Sequence, residues 1–123
     1  MKKIEKKIIS IGGGGFTHRS DKILDRFVID QKNKRNIKFG FLPTASKDNH
    51  NKIKSINKEL KKYNLELSHF ELCSKVEGFS DWIKEKDIIY VGGGNTYFML
   101  NLWKKHKLYK NFKDAYNAGI ILS

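Results

Sequence analysis

The sequence predicts an α/β fold, a three-layer α/β/α sandwich built on a parallel sheet. Three observations predict it. Short β-branched runs alternate along the chain with segments of helical periodicity. The runs are apolar on both sides, as strands covered by helices on both faces must be. Two of the runs end directly in glycine turns, at 12–15 and 92–94, where open parallel sheets place their sites.

The elements follow in order. Residues 7–11 (Lys7, Ile8, Ile9, Ser10, Ile11) read as a buried strand stopped by glycines. Ser20 is placed to cap a helix whose apolar face is Ile23, Leu24, Phe27 and Val28. After a polar turn at 33–36, residues 37–42 form a second strand, stopped by Pro43. Ser46 is expected to cap a longer helix with Ile53, Ile56, Leu60 and Tyr63 on one face and lysines on the other. Leu65, Leu67 and Phe70 alternate with polar residues and predict a third, less buried strand. Residues 78–85 read as a loop and one helical turn. Ile88, Ile89, Tyr90 and Val91 form a fourth strand. Asn95 then caps a helix carrying Phe98, Met99, Leu102 and Trp103. Leu108, Phe112, Ala115 and Tyr116 mark another helix, Gly119 ends it, and residues 120–122 begin a fifth strand. With no repeat, linker or low-complexity segment, residues 1–123 read as part of one domain with no second.

Composition narrows the function classes. The 123 residues are 39% hydrophobic and include eight Phe, five Tyr and two Trp, enough for a core. No apolar run approaches the ~20 residues of a membrane span. The N-terminal stretch lacks the apolar centre of a signal peptide, so a cytoplasmic location is expected. One cysteine, Cys73, excludes an internal disulfide and a cysteine-based zinc site. The net charge of +12 suggests a polyanion partner. However, only Arg19, Arg26 and Arg35 are arginines, and the 22 lysines are spread along the chain. Fourteen Ile and ten Asn against three Ala match AT-rich codon usage. Nucleic acid is therefore not the expected partner, and neither is a membrane.

The glycine turns carry the chemistry. Without a Cβ, a strand-to-helix turn can point backbone N–H groups outward. That suits a phosphate cradle or an oxyanion hole. The dinucleotide fingerprint fails, because Thr17 and Tyr97 stand where its last glycine is required. Neither turn has the Gly-Lys-Ser/Thr of a P-loop. For the first turn, a plain tight connection and a functional loop both stay open.

The run Tyr90-Val91-Gly92-Gly93-Gly94-Asn95-Thr96-Tyr97-Phe98-Met99-Leu100 resembles peptidase family S51, which includes dipeptidase E and cyanophycinase. Ile9-Ser10-Ile11-Gly12-Gly13-Gly14 and Phe41-Leu42-Pro43-Thr44-Ala45 resemble its first two strand ends. The resemblance implies a flavodoxin-like sandwich, similar to class I glutamine amidotransferases. It also implies a hydrolase, a serine protease in mechanism. The sequence has no H-x-x-H or H-E-x-x-H pattern, so no metal is expected, and no cofactor either. Gly94 is then expected to supply an oxyanion-hole N–H, and Gly93, Asn95, Thr96, Gly13 and Gly14 to meet a peptide substrate. The family's nucleophile is the Ser of a G-x-S-A-G turn after the fifth strand. By that motif Ser123 is the residue just before the G-x-S. Nucleophile, histidine and acid have no counterpart here. The expectation is the N-terminal portion of a domain, truncated after the fifth strand. Alone it should be inactive, and poorly soluble, partly molten or homodimeric.

Other residues do not assemble a triad by sequence. His18 follows the first glycine turn, His50 opens a Lys-rich helix, His69 lies in or beside the third strand, and His106 sits among lysines. Cys73, four residues after His69, reads as a small packed hydrophobe. Asp48 is a candidate for a substrate amine, and equally a helix-start acid favoured by the dipole. A binding module holding a small anion at the glycine turns is the alternative function, and non-specific nucleic-acid binding a more distant one.

Overall fold

The computed structural model describes residues 4–11, 22–32 and 34–123. Among the described residues five α-helices and four strands follow one another: α1 (Lys22–Asp30), β1 (Ile37–Leu42), α2 (His50–Leu60), β2 (Leu65–His69), α3 (Phe79–Lys84), β3 (Ile88–Val91), α4 (Thr96–Lys105), α5 (Tyr109–Asn117) and β4 (Ile121–Leu122). The expected cap at Ser20, the first glycine turn with Gly13 and Gly14, and His18 lie outside the described residues.

The four strands make one parallel sheet in the order β2-β1-β3-β4. Strand alternation divides the core in two. Phe39, Phe41, Ile88 and Tyr90 face α1 and α2, against Val28, Ile53, Ile56 and Leu60. Leu42 and Ile89 face the other way, against Phe79, Ile83, Met99, Trp103 and Phe112 of α3, α4 and α5. Helices therefore cover both faces, and the α/β sandwich of flavodoxin-like class stands as expected. No helix among the described residues is long and apolar enough to cross a membrane.

Two elements differ from expectation. The first predicted strand is a single parallel bridge, Ile8 to Leu122, with Ile9 N–H donating to the Leu122 carbonyl at 2.8 Å. It lies at the sheet edge beside a two-residue β4, and Ile8 is 64% exposed rather than buried. A short partner gives it few ladder bonds to join. The second difference is the cap of α2. Ser46 instead closes a 3-10 turn at Thr44–Ser46, and its Oγ donates to the Pro43 carbonyl at 2.9 Å. Asn49 caps α2, accepting from the N–H groups of Asn51 and Lys52. Both residue types cap well; the turn after Pro43 displaces the helix start by three residues.

The third strand is less buried, as predicted, because β2 is an edge strand. Gly119 ends α5 at φ +91°, a conformation that glycine adopts without a Cβ penalty.

Candidate functional site

The topology selects one crevice. From β1 the chain moves outward to β2, then returns to β3 on the other side of β1. The helices that follow β1 and β3 consequently lie on opposite faces. α2 packs in one core cluster and α4 in the other. This reversal between β1 and β3 is the switch point at which open parallel sheets place a site. The two segments that leave those strands are 43–49 and 92–95.

The glycine turn leans on the Pro43 turn. Gly92 N–H donates to the Leu42 carbonyl at 3.0 Å, and Asn95 N–H donates to the Ala45 carbonyl at 2.7 Å. Gly94 sits at φ +148°, where a side chain is strained. A Cβ there would lie 2.6 Å from the Ala45 carbonyl carbon and 2.9 Å from Ser46 N. Gly93 has open space where its Cβ would be. Asn95 caps α4 as predicted, its side chain accepting from Phe98 N–H at 2.9 Å. Thr96 is the first residue of α4 and is exposed.

The N–H groups of Gly93 and Gly94 make no hydrogen bond among the described residues, and both glycines are exposed. They stand at the N-terminus of α4, whose dipole favours negative charge. Two lysines add to that field. Lys52 Nζ donates to the Gly93 carbonyl at 3.3 Å, and Lys47 Nζ lies 5.4 Å from the Phe98 ring centroid. Neither was legible in a lysine-rich sequence.

Ser123 ends beside this crevice, its carbonyl accepting from Val91 N–H at 2.6 Å. Its Oγ is buried without a hydrogen-bond partner among the described residues. His50 and His69 stand at the β2 edge, three strand spacings from β4, roughly 14 Å away. Neither of these two histidines therefore reaches Ser123.

Asp48 stands outside the first turn of α2, which holds no acidic residue, so the helix-start reading does not hold. It precedes α2, at φ +55°, and is only 7% exposed. Its Oδ2 accepts from Cys73 N–H at 2.7 Å and ties the Pro43 turn to the segment after β2. Burial, opposed by the Cys73 backbone hydrogen bond, raises its pKa above the usual 3.8. Cys73 is exposed rather than packed. Desolvation and then the Asp48 carboxylate push its thiol up to about 11, far from a reactive thiolate. His69 pairs instead with Glu71, whose carboxylate meets His69 Nε2 at 3.3 Å and His50 Nε2 at 2.9 Å. Those two imidazoles hold Glu71 below its usual value. The His69-x-Glu71 spacing could have suggested half of this group, with Glu71 just past the end of β2; His50 arrives from α2 with no sequence signal. Among the described residues no three His, Cys, Asp or Glu side chains gather to hold a metal.

Comparison with known proteins follows the same stretch of chain. A model of peptidase family S51 matches residues 8–123. The uncharacterized peptidase YgaJ of Bacillus subtilis (strain 168) is 34% identical over 120 residues, covering 96% of this chain and 52% of that protein. A solved structure from Listeria monocytogenes EGD-e, described as a peptidase E protein, shares the fold. Its TM-score is 0.65 at 24% identity, over 79% of this chain and 50% of that one. The chain therefore spans about half the length of the curated relative it matches.

Proposed function

The chain belongs to peptidase family S51, and on that premise we propose that it forms the oxyanion-hole half of a serine-type peptidase site. The observation that carries this reading is the exposed N–H of Gly94 at the β1/β3 switch point, which makes no hydrogen bond among the described residues. In acyl transfer the carbonyl oxygen of the scissile peptide gains negative charge as the nucleophile attacks. A fixed backbone donor at that oxygen acts more strongly in the transition state than in the ground state, and losing one costs about 10²–10³ in rate. Gly94 is held for this by the Ala45 carbonyl beneath it and by the Asn95 cap behind it. The Lys47 and Lys52 ammonium groups and the α4 dipole favour the same developing charge.

The attacking Ser, its histidine and the orienting acid match none of these 123 residues, so the chain alone does not turn over peptide. A cytoplasmic location is part of the same proposal. Purified chain incubated with a dipeptide bearing N-terminal Asp should release no free amino acid above the buffer blank; clear release would end the claim of inactivity.

The two free glycine donors also favour a second reading, a module that holds a small anion at α4. Calorimetric titration with an acidic dipeptide would give saturable heat abolished by Gly94→Ala; no heat would discard it.

A further inference from the structure

The end of the sheet opposite the glycine turns holds a cavity of about 530 Å³. It opens beside Ile37 and Leu65, the first residues of β1 and β2. Arg26, Lys32, Lys34, Arg35 and Lys62 line it, against one carboxylate, Asp30. The lining thus carries a net charge of +4. Glu59 and Asp87 pair Lys62 and Lys34 from just outside, which still leaves +2.

The arginines separate this cavity from the general lysine excess. The sequence has three, and Arg26 and Arg35 line this one cavity. Codon usage explains many lysines; it does not explain why the scarce guanidinium groups meet. A planar guanidinium matches phosphate oxygens bidentately, which an ammonium does not.

The cations are not equally engaged. Arg26 Nε donates to Asp30 Oδ1 at 3.1 Å, and Lys32 Nζ donates to the Gly119 carbonyl at 2.9 Å. Lys34 meets Asp87 at 3.1 Å. Arg35 has no hydrogen bond or ion pair among the described residues, which engage none of its five N–H donors. Tyr63 steadies two of the others: Arg26 Cζ lies 5.7 Å and Lys62 Nζ 5.4 Å from its ring centroid. The C-terminal ends of α1 and α2 also meet here, and their dipoles favour cations in the last helical turn. Arg26 lies before the last turn of α1, which holds no basic residue, and is accounted for by its pair with Asp30 one turn on. Neither effect accounts for Arg35, which lies past the Asp30 end of α1.

We infer that this cavity binds a small anion carrying two or more linked phosphate groups, with Arg35 as its principal ligand. A single phosphate would satisfy one or two of five cations in a space this large; a linked chain of phosphates reaches several. A nucleoside triphosphate and inorganic polyphosphate share that chemistry.

The test is isothermal titration of the 123-residue chain with inorganic tripolyphosphate and, separately, with ATP, at low and at physiological salt. Saturable binding at one site is expected. Arg35→Gln should weaken it about tenfold or more, with an unchanged melting temperature because the residue is exposed. The double variant K110Q/K113Q, on the distant α5, should change little. Equal affinity for the two probes would assign the site to phosphate chains, and markedly tighter ATP to nucleotides; both support the proposal. It is overturned by absence of saturable binding. It is equally overturned if R35Q and K110Q/K113Q weaken binding alike, since that is diffuse attraction to the surface and the behaviour expected of an RNA-type polyanion. Loss with Gly94→Ala but not with R35Q would move the anion to the glycine turn and also overturn it.

Discussion

At Gly94 the chain bends through φ +148° directly over the Ala45 carbonyl, and the neighbouring Gly93 faces open space. The two glycines look alike in the sequence and differ in what they do. Gly94→Ala should cost about 1–3 kcal/mol through backbone strain and displacement of the Pro43 turn. Gly93→Ala should stay within about 0.5 kcal/mol of wild type. Urea unfolding of both variants checks the contrast. Asp48 allows a pH test. Its folded pKa is raised by burial, so the folded state binds the proton more tightly than the unfolded chain. Its contribution to stability is present below its ordinary value of 3.8 and is lost as pH rises through the raised folded value. The melting temperature of Asp48→Asn minus that of wild type should therefore increase as pH rises from about 3.5; a flat difference would contradict the shift. The glycine motif and the Asn95 cap were legible as residues because they are consecutive. The contacts of Asp48 and His50 were not, because their partners arrive from segments more than twenty residues away in the chain.

Elements were readable wherever periodicity and burial agree. β1 and β3 are central, buried on both faces, and carry the β-branched and aromatic runs that this requires. β2 alternates because it is an edge. Residues 7–11 have the composition of a buried strand, yet they meet only a two-residue partner and remain a single bridge. Composition reports what a segment tolerates, and pairing depends on the length of its neighbour. Caps follow the same logic. Asn95→Ala and Asn49→Ala should each cost about 1 kcal/mol in chemical denaturation. Ser46→Ala should cost less than either, because Ser46 lies in the 3-10 turn and its loss leaves the Asn49 cap in place.

For the whole molecule, charge and sheet order dominate. A net charge of +12 on 123 residues makes the compact state repel itself. Raising NaCl from about 10 mM to 150 mM shortens the screening length from roughly 30 Å to 8 Å. The melting temperature should rise across that range, and a fall would mean that specific ion pairs outweigh the repulsion. The sequence by itself determined the α/β class, the alternation of elements and the VGGGNT turn, all of which rest on neighbours within a few residues. Only the tertiary structure decided the strand order. That order puts the reversal between β1 and β3, so the Pro43 turn becomes the floor of the glycine turn. It also decided that two of three scattered arginines share one cavity at the far end of the sheet. The physical reason is the same in both cases. Periodicity fixes which face of an element is buried, but which elements become neighbours depends on how all the buried faces fit together at once.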